Sequence, residues 1–320
     1  MREIKNIVIG NKIILVVDAV RFQTSNEIDR INLNMLQGKD YRIVITHGVV
    51  GELVDVIVKN YYGLDKNKLI FLCNNIEAQQ VLSRSGCRAF NVSEYVFLND
   101  DTYNILKVEK EYDCVYLGRR AKLEGLFKIP YKSNVKHFLL NEESTINESA
   151  VTFEYAKSLS GIMPSKAEGS CRVVAEMLMS GLPIVSIKMP NLPKQDYYPH
   201  TLFNIYSTYE NVLPNTVGGR ELWLDDYNSI TCERSDEAID NAIQEIIGRK
   251  LDQNIIRRDY LSRLFTERLK FLHLVKSIVE ELDLNFWDIN LNDFITLPYS
   301  NCSLKTQEWK RVLKHFKTLF

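Results

Sequence analysis

The sequence has no apolar run long enough to cross a membrane. Its amino-terminal stretch, MREIKNIVIGNKIILVVDAV, is broken by Asn6, Asn11 and Lys12, whereas a membrane-spanning helix needs about 20 mostly apolar residues. These polar breaks also disfavour a secretory signal and favour short strands. We therefore expect a cytoplasmic protein without a leader or a membrane span.

Cysteine and metal-binding motifs are scarce as well. The six cysteines form no CxxC pair and show no metal-ligand spacing: Cys73, Cys87, Cys114, Cys171, Cys232 and Cys302. Scattered cysteines in a chain of this length indicate reduced thiols and argue against a disulfide framework. No Asp-x-Asp motif is placed to hold a magnesium diphosphate, and the adjacent acidic pairs at 100–101 and 225–226 are typical of turns. We expect no metal ion and no other cofactor.

An excess of positive charge is also missing, which argues against a nucleic-acid partner. The 40 basic and 41 acidic residues leave a net charge of −1, and nucleic-acid-binding domains normally carry surplus Lys and Arg. The chain has 45% hydrophobic and 25% charged residues, the balance of a globular protein. Its 320 residues exceed the usual size of one domain, so we expect two.

Short β-branched runs alternate with amphipathic stretches along the whole chain. Strands are predicted at 13–17, 42–46, 69–73, 114–117, 161–164, 183–187 and 230–232. Helices are predicted at 25–36, 51–59, 76–85, 149–159, 171–180 and 236–247, and a long helical pattern follows residue 252. Apolar strands separated by helices are typical of a parallel sheet covered on both faces. We therefore expect an α/β fold.

A domain boundary is predicted in the polar run at residues 99–111. This run has no clear hydrophobic period, and a new strand, CVYLG, begins just beyond it. The expected division is an amino-terminal domain at 1–108, a carboxyl-terminal domain at 109–282 and a helical tail at 283–320.

One segment, SKAEGSCRVVAEMLMSGLPIVSI at residues 165–187, combines a helix start with two acidic side chains. Ser170 is a suitable N-cap and Gly181 a suitable stop, so a helix is predicted between them. The amino end of such a helix, at the carboxyl edge of a parallel sheet, is where phosphate binds most readily. Glu168 lies just before the helix and Glu176 within it, and carboxylates suit the hydroxyls of a ribose or a sugar.

The same helix has an apolar stripe and a polar face. Arg172 and Glu176 lie four residues apart, on the face opposite the stripe; the stripe consists of Val173, Val174, Met177 and Leu178. Taken alone, Glu168 and Glu176 would be ordinary surface glutamates. Arg172 either pairs with Glu176 or binds a ligand.

At these residues the chain resembles the retaining glycosyltransferases of the two-Rossmann-domain (GT-B) type, and family 4 in particular. The family's mark, two glutamates separated by seven residues, stands here as Glu168-GSCRVVA-Glu176. Three further segments are similar to family motifs: YDCVYLGRRAKLEGL, GGRELWLDDYNS and DEAIDNAI. The resemblance runs from residue 112 to residue 243, whereas the amino-terminal half matches only in its rhythm of strands and helices.

The resemblance implies two Rossmann-like domains facing each other across a cleft, with a short amino-terminal domain. It implies retaining transfer of a hexose-type sugar from a nucleoside-diphosphate sugar to a glycan or lipid-linked acceptor. The implied setting is synthesis of a surface polysaccharide such as a capsule, an O-antigen or lipopolysaccharide. The catalytic residues would be Glu168 and His47. The donor-binding residues would be Arg119, Lys122, Gly169, Ser170, Arg172, Glu176, Gly218, Gly219, Arg220 and Glu221.

The resemblance also assigns roles within this set. Glu176 would bind the ribose of the nucleotide, and Glu168 would contact hydroxyls of the donor sugar. Arg119 would bind the diphosphate and stabilise the charge that develops on the leaving group. The backbone at 218–219, together with Glu221, would close over the nucleotide. The departing phosphate would help to deprotonate the acceptor hydroxyl, so no metal ion is needed.

The chain departs from the family pattern at two places. Glu124 stands before Gly125 where the family has a lysine, so the usual second cation for the diphosphate is missing, and Arg120 or Lys122 would have to replace it. Residues 188–217 form a tyrosine-rich insert where the family has only a few residues. Long loops in compact domains are often functional, and one interpretation is that this insert contacts the donor or the acceptor.

Two other features lie outside these motifs. His47 closes a predicted strand and is either a structural histidine or a group near the reacting sugar, while Asp18 and Arg21 are candidates for the acceptor side. The tail at 303–320 predicts a basic amphipathic helix. Its apolar face either docks on the protein or lies on an anionic membrane surface at the inner face of the membrane.

Two further functions remain open. A non-hydrolysing sugar-nucleotide epimerase shares the expected architecture and would act on the nucleotide sugar without an acceptor. A non-catalytic partner subunit would bind the nucleotide sugar without turnover, an alternative motivated by Glu124.

Overall fold

The computed structural model describes residues 4–19, 33–48, 65–74, 76–84, 86–92, 94–118, 123–139, 148–165, 172–188, 197–200, 205–207, 223–294 and 304–320. In these ranges the protein is mixed α/β and contains two five-stranded sheets. The expectation of an α/β fold with parallel sheets is confirmed.

The first sheet comes from the amino-terminal part of the chain. Its strands, in spatial order, are β1 (Ile4–Ile9), β2 (Lys12–Asp18), β3 (Asp40–Gly48), β4 (Leu69–Cys73) and β5 (Arg88–Asn91). β1 pairs antiparallel with β2 and the other pairs are parallel. Helix α1 (Ile76–Arg84) covers one face with Ala78 and Leu82. Side chains from the carboxyl-terminal part of the chain cover the other face.

The second sheet contains β6 (Tyr112–Gly118), β7 (Val135–Leu139), β8 (Ser158–Met163), β9 (Ile184–Ile187) and β12 (Ser229–Cys232). Two strands that precede β12 in sequence, β10 (Tyr197–His200) and β11 (Ile205–Ser207), form a separate antiparallel pair within the 188–217 insert. The spatial order of the second sheet is β12-β9-β8-β6-β7, and all its pairs are parallel. Helices α2 (Glu148–Ala156), α3 (Arg172–Met179) and α4 (Asp236–Gly248) connect or follow these strands.

The strand order of the second sheet reverses between β6 and β8. From β6 the chain adds β7 on one side, and it then crosses to add β8, β9 and β12 on the other. At such a reversal the connections at the carboxyl edge leave in opposite directions, and the crevice between them is where open α/β sheets bind ligands. Among the described strands, only the second sheet has this reversal, because the first sheet continues in sequence order.

Helix α5 (Gln253–Glu280) joins the cores of both sheets. Its 28 residues span about 42 Å at the usual rise per residue. The amino-terminal half contributes Ile256, Tyr260 and Leu264 to the core beside the second sheet. The carboxyl-terminal half packs Phe271 and Val275 against the first sheet. The predicted division at residues 108 and 282 stays a prediction.

A buried ion pair lies where α5 passes between the two cores. Arg268 on α5 donates from Nη2 to Oδ1 of Asp100 at 3.0 Å, and both side chains are almost completely excluded from solvent. The same guanidinium donates to the carbonyl oxygens of Val96 and Leu98. Because a buried charge is tolerated only when it is paired and hydrogen-bonded, this cluster fixes α5 against the segment that leaves the first sheet.

The carboxyl-terminal tail docks on the protein. Helix α6 (Gln307–Lys317) buries Trp309, Val312 and Phe316 in the same core as the first sheet. The indole nitrogen of Trp309 donates to the carbonyl of Val96 at 3.0 Å. The apolar face of this helix is therefore occupied by protein, and its outer surface carries exposed Lys, Arg and His side chains. Among the described helices, none has both the length and the apolar character needed to span a bilayer.

All seven predicted strands are present, with bounds that differ by at most a few residues. The predicted helices at 76–85, 149–159, 171–180 and 236–247 are present as α1 to α4. The helices predicted at 25–36 and 51–59 lie mostly outside the described residues, and only residues 33–36 are seen, as a 3-10 turn. β5 and β7 were not predicted. Both are edge strands with mainly half-buried side chains, so neither has a continuous apolar run.

Gly181 ends α3 in a left-handed conformation, as predicted for a stop. Its φ is +76°, and the amide of Leu182 donates to the carbonyl of Met177 at 2.9 Å, the pattern of a helix that ends at glycine. A Cβ atom at this position would lie 2.7 Å from the backbone oxygen of Gln253 at the start of α5. Glycine is therefore required both by the backbone angle and by the close approach of α5.

We predict that Gly181→Ala lowers the free energy of unfolding by about 2 kcal/mol or more, because the left-handed backbone and the close contact both oppose a side chain. Urea denaturation measures the change. The matched control is Gly248→Ala, because a Cβ there meets nothing within 4 Å and a helical alanine is slightly favoured over glycine. Equal stability of the two variants would contradict the role of Gly181.

Candidate functional site

The candidate site lies at the carboxyl edge of the second sheet, where the strand order reverses. β6 ends at Gly118, and β8 ends at Met163, followed by Pro164 and Ser165. The chain continues from these two ends into most of the residues predicted to bind the donor. Nine predicted site residues lie outside the described residues: Arg119, Lys122, Glu168, Gly169, Ser170, Gly218, Gly219, Arg220 and Glu221.

Glu176, on α3, is the best-defined acidic group at this site. Its carboxylate is almost fully buried, with 4% of the residue exposed. Oε1 accepts hydrogen bonds from Nε of Arg172 at 2.6 Å and from the hydroxyl of Tyr103 at 2.9 Å. Oε2 accepts one from the hydroxyl of Tyr155 at 3.1 Å. The carboxylate therefore joins α3 to α2, which carries Tyr155, and to the segment that links the two sheets.

The partners of Glu176 are two neutral tyrosines and a charged arginine. Burial raises the pKa of Tyr155 well above its usual value, and the nearby Glu176 carboxylate raises it further. The pKa of Tyr103 is raised for the same two reasons. Burial lowers the pKa of Arg172, but attraction and hydrogen bonding to Glu176 and Tyr103 together more than offset it, so the pKa is raised overall. At neutral pH both phenols therefore remain protonated donors, and Arg172 remains a cation.

This arrangement leaves limited room for a ligand at Glu176. A carboxylate offers about four acceptor positions, and three are filled by Arg172, Tyr103 and Tyr155. Oε1 has two partners and Oε2 has one. Within the described part of the chain, Oε2 therefore keeps one acceptor position, which can take a single hydroxyl donor.

The structure bears on two alternatives that the sequence left open for α3. Glu176 is not an ordinary surface glutamate, because its buried carboxylate is held by Arg172, Tyr103 and Tyr155. Six consecutive residues of the helix, 174–179, are buried. Of the two alternatives for Arg172, pairing with Glu176 is the one observed.

Sequence reasoning missed the two tyrosines. Tyr103 belongs to the polar run at 99–111 that was interpreted only as a boundary, and its partner lies 73 positions further along the chain. Tyr155 lies in a predicted helix and was not distinguished from other core residues. The one local signal was for Tyr103, because a large aromatic residue inside a polar run is unusual.

The loop after β6 contains the departure from the family pattern at Glu124. This side chain is exposed, and the next residue, Gly125, has a φ of +80°. A Cβ atom on Gly125 would lie 3.7 Å from Nη1 of Arg234. Arg234 follows β12, and its Nε donates to the carbonyl of Pro164 at 3.4 Å. The guanidinium therefore lies between the residue that follows β8 and the loop that follows β6.

The amino-terminal candidates lie at the corresponding edge of the first sheet. His47 is within β3, one residue before its end, and its side chain lies outside the described residues. Asp18 ends β2 and is fully buried, and Arg21 lies outside the described residues. The four described cysteines are free thiols, and burial raises the pKa of Cys114 to about 12. The described His, Cys, Asp and Glu residues form no cluster of three that could hold a metal ion.

Comparisons with solved structures find distant similarity to proteins that include glycosyltransferases. Sucrose-phosphate synthase from Thermosynechococcus elongatus is 11% identical, with 78% of this chain and 70% of that chain covered and a TM-score of 0.46. HepE from Anabaena in complex with UDP is 10% identical, with 74% and 72% covered and a TM-score of 0.46. TarM is 13% identical, with 88% and 54% covered and a TM-score of 0.42, so this chain spans about half of TarM.

No protein-family model matches the sequence, and no curated protein matches it. The TM-scores above are all below 0.5, so the function proposed below rests on the residues of the chain itself.

We predict that Tyr155→Phe lowers the free energy of unfolding by about 1.5–3 kcal/mol, the usual contribution of a hydrogen bond to a charged group. The loss is expected because Phe leaves Oε2 of the buried Glu176 without its donor. Chemical denaturation of the variant measures it. Tyr227→Phe is the control, because Tyr227 is 39% exposed and surface changes usually stay within about 0.5 kcal/mol. A Tyr155→Phe variant as stable as the control would contradict the network.

Proposed function

We propose that the protein is a glycosyltransferase that moves a sugar from a nucleoside-diphosphate sugar to an acceptor hydroxyl. The observation that carries the proposal is the buried Glu176 carboxylate, held by three protein donors and left with one acceptor position on Oε2. It lies on α3, the helix between β8 and β9. A ribose hydroxyl donating to Oε2 would complete its hydrogen bonding.

The diphosphate of the donor would lie at the carboxyl ends of β6 and β8. Arg119, which directly follows β6, and the backbone amides at 169–170 would stabilise the negative charge there. Lys122 and the loop at 218–221 would close over the nucleotide. Protein cations and helix amides together supply the neutralisation that a metal ion provides in other transferases, so the reaction proposed here is metal-independent.

The proposed transfer proceeds with retention. The bond between the anomeric carbon and the diphosphate oxygen breaks, and the acceptor oxygen bonds to the same face of the sugar. The acceptor hydroxyl passes its proton to the departing diphosphate. Glu168 would hold the hydroxyls of the donor sugar, and His47, from the first sheet, would lie on the other side of the sugar.

The proposed acceptor is a growing glycan or a lipid-linked glycan of a surface polysaccharide. A lipid-linked acceptor fits contact with the inner face of the membrane. Because the apolar face of α6 is buried, such contact would be electrostatic and would use its exposed outer side chains, which include Lys310, Arg311, Lys314 and Lys317.

We predict that one member of the set UDP, GDP, dTDP and ADP stabilises the protein against heat. Stabilisation of about 2.7 kcal/mol is expected at a ligand concentration one hundred times the dissociation constant. Glu176→Gln should weaken that ligand by about tenfold or more, because the amide oxygen stays with Arg172 and Tyr103 and the ribose hydroxyl then meets an NH2 group that cannot accept its hydrogen bond. Calorimetric titration of both proteins measures the ratio.

Glu280→Gln is the matched control, because it removes the same charge from an exposed residue whose ion pair among the described residues is with Lys276. Unchanged affinity in Glu176→Gln, or no stabilisation by any nucleoside diphosphate, would reject the proposed site. Assays with the sugar conjugates of the nucleotide that binds then distinguish the three functions. Transfer to an added glycan supports a transferase, epimerisation of the donor alone supports the epimerase, and binding without turnover supports a partner subunit.

A further inference from the structure

We infer that Arg234 binds the diphosphate of the donor and takes the place of the lysine that Glu124 replaces in the family pattern. This inference rests on the proposed function, because it assigns one more residue to the same donor site. Arg234 lies beyond the end of β12, outside every motif that the sequence singles out. Only the fold brings it to the crevice between β6 and β8.

The first support is the position of the guanidinium. Parallel strands end at one edge of a sheet, so the residues after β6, β8 and β12 emerge on the same side. Nε of Arg234 is 3.4 Å from the carbonyl oxygen of Pro164, which follows β8. Nη1 lies 3.7 Å from the position of a Cβ on Gly125, which is in the loop after β6. The side chain therefore extends from the edge strand of the sheet to the reversal of strand order.

The second support is the way in which the loop after β6 is held. Asp236, in the first turn of α4, accepts hydrogen bonds from the amides of Phe127 at 2.6 Å and Lys128 at 2.9 Å. Its carboxylate also accepts one from the hydroxyl of Tyr131 at 2.8 Å. Because Asp236 is only two residues after Arg234, these bonds fix the loop relative to Arg234. The guanidinium is thereby positioned against Gly125 before any ligand binds.

The third support is chemical. The loop after β6 carries the exposed carboxylate of Glu124, which repels a diphosphate. A half-buried guanidinium beside Gly125 offsets that charge and offers donors in the fork geometry that suits phosphate oxygens. Ser165 follows Pro164, the residue that Arg234 contacts. The hydroxyl of Ser165 is buried and has no hydrogen-bond partner among the described residues. A phosphate oxygen at this edge would accept from both groups.

The test compares Arg234→Ala with the unmodified protein in calorimetric titrations. The ligands are inorganic pyrophosphate, the four nucleoside diphosphates UDP, GDP, dTDP and ADP, and the corresponding nucleosides. Affinity for the nucleoside diphosphate that binds should fall by about tenfold to a hundredfold, the loss expected for one charge-assisted contact. Affinity for its nucleoside should not change. Arg258→Ala is the control, because it removes an equal charge from an exposed side chain near the start of α5.

A second variant tests the replacement of one cation by the other. Adding Glu124→Lys to Arg234→Ala should recover part of the lost affinity, because it returns a cation to the neighbouring loop position. If Arg234→Ala unfolds at a lower temperature than the unmodified protein, Arg234→Gln, which keeps an N–H donor for Pro164, takes its place.

The two possible failures are distinguishable. If the unmodified protein binds no nucleoside diphosphate, the proposed function itself fails. If the unmodified protein binds one and Arg234→Ala binds it equally well, only the inference about Arg234 is overturned. No gain from Glu124→Lys would overturn the claim that the two positions serve the same phosphate.

Discussion

The hydrogen-bonded carboxylate of Glu176 is the constraint on which the rest of the candidate site depends. A buried charge is costly unless nearly all of its acceptor positions are filled. Here the hydrogen-bond donors come from α3 itself, from α2 and from the segment between the sheets. Three separate pieces of chain must therefore keep one arrangement, and α3 is held to α2 and to the linking segment. The site inherits its geometry from this requirement.

Hydrogen bonds also connect the segment that carries Tyr103 to the long helix α5. Arg257 donates to the backbone carbonyls of Tyr103 and Met179, and also to the carbonyl of Asp100 at 3.1 Å. In the same segment, the carboxylate of Asp100 pairs with Arg268. Both arginines belong to α5, which contributes to the cores of both sheets. The segment that supplies Tyr103 to the Glu176 network is thus also held by two arginines of α5.

The central strands and helix α3 were predictable because their sequence signals are local. Leu69–Cys73 is apolar throughout, and a glycine such as Gly181, which readily adopts a left-handed backbone, is a common helix end. The edge strands β5 and β7 were not predictable, since half-buried residues carry no run of apolar side chains. The contacts of Tyr103 and Arg234 were invisible for another reason. They join residues 73 and 70 positions apart, and only the tertiary fold brings those residues together.

The central claim is that a sugar-linked diphosphate binds where the strand order of the second sheet reverses. The most direct measurement is a crystal structure of the protein soaked with a nucleoside-diphosphate sugar. The account predicts density for the diphosphate between the carboxyl ends of β6 and β8, with the ribose against Oε2 of Glu176. Density at any other place, or a crevice filled by the chain's own side chains, would contradict it.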